Sequence, residues 1–291
     1  MVERRDSGRI PIRMLTSDAD DGWIKLEGEI TPDSFQKLVA LGRIEQLSVA
    51  NGPKATAKAA QEFRSLASVR HLWLWREVTR TAMRHVVSTR GLEVLDVLSI
   101  EPPGRLDGFS HANDLREFRC NCSPTELDLL EIASCRTLNT IGAQGANLTS
   151  EVIEAFLEMP ALRSLDLEAS TFDDGMAARL SASDTLLSLD VGNTKLTRSG
   201  LSRLCTMKNL KSLDLWATAI CEGDIDLLAN LPNLEYLSIG GVEGGTTFNA
   251  ETLVPRLQAL GSLERIWLDG VRIGAEQRSI LEARYKVLRI T

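Results

Sequence analysis

The feature that most constrains this chain is a short apolar pattern that recurs along most of its length. The pattern is L-x-x-L-x-L, with other apolar residues allowed at the leucine positions. Its copies begin at Ile44, Val69, Leu92, Leu115, Leu138, Leu162, Leu186, Leu210, Leu234, Leu263 and Tyr285. Most of these starts lie 23 or 24 residues apart. Such a fixed period indicates a solenoid of stacked structural units, none of which can bury its apolar face alone.

Each repeat combines two periodicities. In one central repeat Leu213 and Leu215 alternate with polar residues, which predicts a short strand that buries every second side chain. Further along the same repeat, Ile225, Leu228 and Leu231 follow at a spacing of three, which indicates one face of a helical turn. Every repeat is therefore predicted to be strand, turn and helix. Stacking would place the parallel strands on a concave face and the helices on the convex face.

With these repeats the chain resembles the leucine-rich-repeat family, in the 23 to 24 residue variety common among bacterial proteins. The resemblance covers roughly residues 40–291 and implies an α/β solenoid, or horseshoe, of about eleven strand-turn-helix repeats. One position departs from the family pattern, because its usual Asn or Cys at the ninth residue is replaced here. Hydroxyl groups can partly replace the hydrogen bonds of Asn in the turn, whereas Ala and Val cannot. The ninth residues are Ser123, Ala146, Ser170, Thr194, Thr218, Val242 and Val271.

The N-terminal region differs from the repeats, and we expect residues 1–43 to form a cap on a solenoid of residues 44–291. Residues 9–28 hold two short apolar stretches around a turn rich in Ser, Asp and Gly, which predicts a hairpin. A helix is predicted from Thr31, with Pro32 at its first position. The cap would therefore consist of a hairpin followed by a helix.

Composition limits the compartment and the class of partner. The five cysteines are an odd number, and the N-terminal sequence lacks an apolar segment that could direct secretion, so a cytoplasmic protein is expected. No 18 apolar residues run together, so no membrane partner is expected. The net charge of −7 argues against nucleic-acid binding, which requires a basic surface.

An acidic column is the first candidate binding feature. The third, fifth and seventh residues of each repeat are predicted to point outward on the concave face. Asp166, Asp190 and Asp214 take the fifth position in three adjacent repeats, and Glu168 lies beside them. On parallel strands about 4.8 Å apart these charges repel each other, unless Lys or Arg side chains of a partner cover them. The alternative is that Asp is merely a soluble consensus residue of the repeat.

Aromatic residues at outward positions are the second candidate feature, since Trp, Tyr and Arg dominate the energetics of protein interfaces. The alternative is that flanking residues or the caps cover these rings, and Trp23 is itself predicted to pack in the N-terminal cap. The complete set of predicted partner-binding residues is Trp73, Trp75, Asp96, Arg119, Asp166, Glu168, Asp190, Asp214, Trp216, Tyr236, Trp267 and Asp269.

No catalytic residue, cofactor or metal site is predicted. The three histidines, His71, His85 and His111, fall on a strand, a helix and a loop, so no two repeat columns bring a base to a nucleophile. Cys120 takes a buried position as a small apolar residue, and no His or further Cys lies at zinc-ligand spacing. The protein is therefore not expected to be an enzyme.

The sequence favours a non-catalytic scaffold that binds a basic protein through its acidic, Trp-bearing concave face. One version is an immunity protein or inhibitor that blocks a toxin or nuclease, which is an analogy of fold alone. The alternative is a self-assembling structural or adaptor protein of the bacterial effector type. That protein would form homodimers through the last strand, Tyr285 to Ile290, which has no capping segment after it.

Overall fold

The computed structural model describes residues 15–16, 23–28, 32–50, 52–102, 104–241 and 248–290. The chain divides into two compact units, residues 1–120 and residues 121–291. Thr31, Val242 and Thr291 lie outside the described residues, as does most of the predicted N-terminal hairpin.

In unit 1 (residues 1–120) a β-sheet alternates with short helices. The strands are β1 (Leu15–Thr16), β2 (Ile24–Glu27), β3 (Arg43–Ala50), β4 (Ser68–Thr79), β5 (Val94–Glu101) and β6 (Glu117–Cys120). The helices are α1 (Pro32–Ala40), α2 (Ala57–Ala60) and α3 (Arg80–Val86), with 3-10 turns at Gln61–Ser65 and Phe109–His111. Strands β2 to β6 pair in parallel and in chain order.

The two ends of unit 1 depart from a regular repeat. Strand β1 pairs antiparallel with β2, and helix α1 has Pro32 as its first residue. Between β5 and β6 the described residues form only the 3-10 turn Phe109–His111. The prediction of a helix in every repeat is therefore wrong here. The division of the chain into a cap and a solenoid stays a prediction.

Unit 2 (residues 121–291) repeats strand and helix more regularly. Its strands are β7 (Thr140–Ala143), β8 (Ser164–Asp166), β9 (Ser188–Asp190), β10 (Ser212–Asp214), β11 (Tyr236–Gly240), β12 (Arg265–Asp269) and β13 (Val287–Ile290). Its helices are α4 (Glu126–Ala133), α5 (Ser150–Leu157), α6 (Asp174–Leu180), α7 (Arg198–Leu204), α8 (Ala250–Gln258) and α9 (Ala275–Arg284), with a 3-10 helix at Glu222–Asn230. The strands pair in parallel and in chain order.

The register of unit 2 follows the repeat period. Leu165 pairs with Leu189 and Leu189 with Leu213, and all three side chains are at most 1% exposed. Ile153 and Leu201, from the helical half of their repeats, are fully buried as well. The core therefore lies between the sheet and the helices. The fold is an α/β leucine-rich-repeat solenoid, as the sequence predicted.

The ninth residues of three repeats form hydrogen bonds through their hydroxyl groups in the turns after β8, β9 and β10, as expected. Thr194 Oγ1 donates to the carbonyl oxygen of Val191 at 2.6 Å, and Thr218 Oγ1 makes the equivalent bond to Leu215 at 2.6 Å. The hydroxyl oxygen of Ser170 instead accepts a backbone N–H. These three side chains supply hydrogen bonds that Asn provides in the family pattern.

The residue before the ninth position has a left-handed backbone in five repeats of unit 2. The φ angles are +68° for Gly145, +56° for Ala169, +51° for Asn193, +53° for Ala217 and +65° for Gly270. A Cβ makes this conformation unfavourable by about 1–2 kcal/mol, a penalty that glycine escapes.

Glycine in place of Ala169 or Ala217 is therefore expected to raise the free energy of unfolding by about 0.5 kcal/mol at each position. The relief of backbone strain exceeds the entropy that glycine adds to the unfolded chain. Urea denaturation measures the change. Ala178→Gly, on an exposed site of helix α6, is the matched control and should lose about 1 kcal/mol. Equal losses at all three positions would contradict the prediction.

Within the described residues, no helix combines the length and the apolar character needed to cross a membrane.

Candidate functional site

The open face of each unit is the surface formed by the third, fifth and seventh residues of its repeats. In unit 2 the fifth residues Asp166, Asp190 and Asp214 are in register on the adjacent strands β8, β9 and β10. All three side chains are half-buried. The predicted acidic column is thus a row of neighbouring carboxylates.

Backbone hydrogen bonds fix these carboxylates in a common orientation. Asp190 Oδ1 accepts the N–H of Gly192 at 2.8 Å, and Asp214 Oδ1 accepts the N–H of Trp216 at 2.8 Å. Asp166 Oδ1 accepts the N–H of Glu168 at 3.1 Å. Because this bond uses Oδ1, Asp190 has a second oxygen that can meet a ligand, whereas Asp214 also bonds to the side chain of Ser238.

Gln144 covers the first end of the column. Its Nε2 donates to Asp166 Oδ2 at 3.0 Å and to Glu168 Oε2 at 3.2 Å. Asp166, Glu168 and Asp190 each bring one oxygen within 4.8 Å of the others. A metal ion at this point would compete with the Gln144 amide for two of the three carboxylates. The absence of a metal site stays a prediction.

The acidic cluster comprises Asp166, Glu168, Asp190 and Asp214, and three of these four groups have a raised pKa. Burial, and then the charge of Asp214, raise the pKa of Asp190 to about 8. Burial is also the main cause that raises the pKa of Asp214 and that of Glu168. Among the described residues, no Lys, Arg or His forms an ion pair with any of the four. The cluster therefore gathers four acidic groups that form no ion pair within the described residues of unit 2.

A cavity of about 250 Å³ opens beside the cluster. Its acidic side is formed by Glu168, Asp190 and Asp214, and its aromatic side by Trp216, Tyr236 and Trp267. The missing side chain of Gly192 leaves this space open. A Cβ at Gly192 would lie 3.2 Å from Asp190 Oδ1 and 3.3 Å from the Trp216 carbonyl oxygen.

A hydrogen bond across two repeats holds the aromatic side. The indole Nε1 of Trp216 donates to Asp269 Oδ2 at 2.8 Å. Gly240 occupies the same column in the strand between them and has a φ of +146°. A Cβ at Gly240 would lie 2.0 Å from the carbonyl oxygen of Asp269. Asp269 thus orients Trp216, a role that the sequence alone did not reveal.

Alanine in place of Asp269 is expected to lower the free energy of unfolding by about 1–2 kcal/mol, because the partly buried indole N–H loses a charged acceptor. The indole N–H resonance of Trp216 should also shift in the NMR spectrum. Asp184→Ala, at an exposed position of the same unit, controls for loss of negative charge. An unchanged Trp216 resonance would show that the bond does not hold the ring.

The open face of unit 1 carries an aromatic cluster. The ring of Trp23 packs edge-on against His71 at 4.6 Å and against Trp73 at 5.7 Å, and Trp73 packs against Trp75 at 5.2 Å. Trp75 is 45% exposed. Trp23 therefore covers part of Trp73, whereas Trp75 remains accessible.

The charged residues predicted to bind a partner in unit 1 contact each other. His71 Nε2 lies 2.6 Å from Asp96 Oδ2, and Arg119 Nη1 lies 3.4 Å from Asp96 Oδ1. Arg119 also pairs with Glu117 at 2.6 Å. Arg119 thus supplies a cation for Asp96 and Glu117, whereas the acidic cluster of unit 2 has no ion pair among the described residues.

Several residues of the site were not among the predicted contacts. Gln144, Gly192 and Gly240 are seventh residues of their repeats, and Ser238, which bonds to Asp214, is a fifth residue. Two glycines on either side of Trp216 in that column were the signal for a cavity.

The serine column in unit 2 has no histidine nearby in its own unit. Ser164, Ser188 and Ser212 lie on β8, β9 and β10, whereas all three histidines of the chain fall within residues 1–120. His71 is already engaged with Asp96. That the protein is not an enzyme stays a prediction.

No protein-family model matches this chain, and no curated protein matches it. Among solved structures, an internalin (inlF) from Listeria monocytogenes str. 4b F2365 is similar with a TM-score of 0.54 and 15% identity, over 89% of this chain and 70% of that one. Internalin C2 (inlC2) from the same strain gives a TM-score of 0.44 and 17% identity, over 73% and 84% of the two chains. The actin-binding site 2 of leiomodin-1 gives a TM-score of 0.38 and 17% identity, over 48% of this chain and 90% of that one.

The similarity to inlF shows the fold and nothing finer, because only 15% of the residues are identical. Internalins are leucine-rich-repeat proteins, and both units of this chain stack parallel strands one repeat apart. The chain therefore has the leucine-rich-repeat solenoid fold.

Proposed function

We propose that this protein is a scaffold that binds a basic protein partner through the open face of unit 2. The observation that carries the proposal is the acidic cluster, whose carboxyl groups form no ion pair with a Lys or Arg among the described residues of unit 2. Crowded, half-buried carboxylates are unfavourable in the isolated protein, because each raises the free energy of its neighbours. Positive charge from a partner removes that repulsion and also steers the approach of the partner.

The aromatic residues beside the cluster support the same proposal. Trp216, Tyr236 and Trp267 are half-buried and adjoin the carboxylates in one cavity. Such rings supply most of the affinity in interfaces where polar contacts supply specificity. The two features that the sequence suggested separately thus form one continuous surface. In unit 1, Trp73, Trp75, Asp96 and Arg119 stay predicted contacts.

A finer version is that the partner is a toxin or nuclease and that this protein is its immunity protein or inhibitor. A basic enzyme that acts on nucleic acid would present the charge that the cluster lacks. This version depends on an analogy of fold alone. An effector-type adaptor would use the same chemistry with another basic partner.

The test is affinity capture from the lysate of the source cell, with the native protein and the triple variant Asp166→Asn, Asp190→Asn, Asp214→Asn as baits. A second triple variant, Glu151→Gln, Asp184→Asn, Glu276→Gln, removes the same number of charges at exposed positions of unit 2. We expect one basic protein on the native and control baits and its loss from the acidic-cluster variant.

Equal capture by all three baits would show that the acidic column is only a consensus feature of the repeat. A bait that captures no protein, but sediments as a dimer, would favour assembly through the C-terminal strand. Sedimentation of the purified protein at micromolar concentration separates these outcomes.

A further inference from the structure

We propose that the cavity of unit 2 is a receptor for a single arginine side chain of the protein partner. This inference rests on the proposed function and names the chemical group that enters the acidic and aromatic surface. The cavity is about 250 Å³, whereas a single water molecule needs roughly 10–15 Å³ by the same measure. The space therefore suits a side chain rather than one bare ion.

The acidic side matches the donors of a guanidinium group. Asp190 and Asp214 are direct neighbours on β9 and β10, and their Oδ1 atoms are held by backbone N–H groups. Both carboxylates line the cavity. A guanidinium has five N–H donors in one plane and can bond to two carboxylates at once. An ammonium group is a compact point charge and gains less from this arrangement.

The aromatic side matches the flat face of the same group. Guanidinium is more weakly hydrated than ammonium, and it stacks on Trp and Tyr rings by cation–π attraction. The protein already makes one contact of this kind, because the guanidinium carbon of Arg265 lies 5.5 Å from the ring centre of Tyr236. Trp216 is kept in position by its bond to Asp269, so the aromatic side is formed before a ligand arrives.

Other occupants fit the cavity less well. A calcium or magnesium ion requires oxygen ligands on most sides, but Trp216, Tyr236 and Trp267 form the aromatic side. An uncharged side chain would leave the carboxylates without a cation. A guanidinium group, whose charge is spread over a plane, can bond to the carboxylates on one side and stack on the aromatic rings on the other.

Entry of arginine should also release a proton. The pKa of Asp190 is raised to about 8 by burial and by its acidic neighbours, so this group holds a proton for much of the time at neutral pH. A guanidinium beside Asp190 favours the ionised carboxylate. The affinity should consequently rise between pH 6 and pH 8.5.

The test is an NMR titration of the 291-residue chain with N-acetyl-arginine amide, observed at the tryptophan indole N–H resonances. N-acetyl-citrulline amide is the neutral control of nearly the same shape, and calcium chloride tests for a metal site. We expect saturable shifts of Trp216 and Trp267 with the arginine probe, stronger at pH 8.5 than at pH 6. Shifts of equal size with citrulline, or a response to calcium alone, would overturn the proposal.

Two pairs of substitutions locate the effect. Asp190→Asn with Asp214→Asn should weaken binding of the arginine probe at least tenfold, whereas Glu151→Gln with Asp184→Asn should leave it unchanged. Retention of the native affinity in the first pair would also overturn the proposal. Failure here is distinct from failure of the proposed function, because capture of a basic protein can depend on the acidic cluster even when the cavity does not bind arginine.

Discussion

Asparagine in place of Asp190 is expected to make the protein more stable at pH 7 and to weaken its binding of a basic partner. The carboxyl group has a pKa of about 8 in the folded protein and of about 3.9 in an unfolded chain. The Asp190 carboxyl group is ionised in the unfolded chain at pH 7. Folding must therefore either protonate it or hold it ionised beside the other acidic groups of the cluster. The neutral amide removes this penalty, which is about 2 kcal/mol for a half-buried group partly screened by water.

The pH dependence has a definite sign. Because the folded pKa is raised, the folded protein binds more protons than the unfolded chain between about pH 4 and pH 8. The native protein should therefore lose stability as the pH rises through this range. In the Asp190→Asn variant the loss should be smaller, with Asp214 and Glu168, whose pKa values are also raised, supplying the remainder.

Thermal and urea unfolding at pH 5 and pH 8 measure both effects. Asp184→Asn is the matched control, since Asp184 is exposed in the same unit, and it should follow the native curve. A variant at Asp190 that is less stable than the native protein at pH 7 would show that its ionised form is stabilising. The acidic cluster would then be a structural feature.

Alanine in place of Gly240 is expected to lower the free energy of unfolding by about 3 kcal/mol or more. The φ of +146° is a region that residues with a Cβ rarely adopt. The added Cβ would also meet the Asp269 backbone, with its oxygen at 2.0 Å and its nitrogen at 3.0 Å. Strands β11 and β12 would have to separate, and the bond between Trp216 and Asp269 would be disturbed.

Gly261→Ala is the control for this substitution. A Cβ at Gly261 has no heavy atom within 4 Å, so its effect should stay within about 0.5 kcal/mol. Urea denaturation gives the stability of both variants, and the arginine titration shows whether the cavity of unit 2 survives. Equal effects at the two glycines would contradict the close approach of β11 and β12.

The repeat period made much of the fold predictable. A constant spacing of 24 residues assigns the same position to Leu165, Leu189 and Leu213, and stacking then pairs them in register. The same reasoning predicts that Asp166 and Asp190 lie on adjacent strands, as they do. Periodicity fixes the direction of a side chain because alternate residues of a strand point to opposite faces.

Contacts that depend on side-chain torsions were not predictable in this way. Trp216 reaches Asp269 across two repeats because Gly240 has no side chain between them. The repeat pattern gives the face on which each side chain lies, but not how far it extends. Asp96 and Arg119 were predicted to face a partner, but they are neighbours in the fifth column and bond to each other. Opposite charges in adjacent repeats were the available signal for that pairing.

The acidic and aromatic open face of unit 2 is proposed here as the surface that binds the partner. Amide hydrogen exchange of the complex with the captured basic protein tests it most directly. We expect slower exchange where the open face lies, in residues 164–169, 188–193, 212–217, 236–241 and 265–270. Protection confined to helices α5 to α8, or to unit 1, would contradict it.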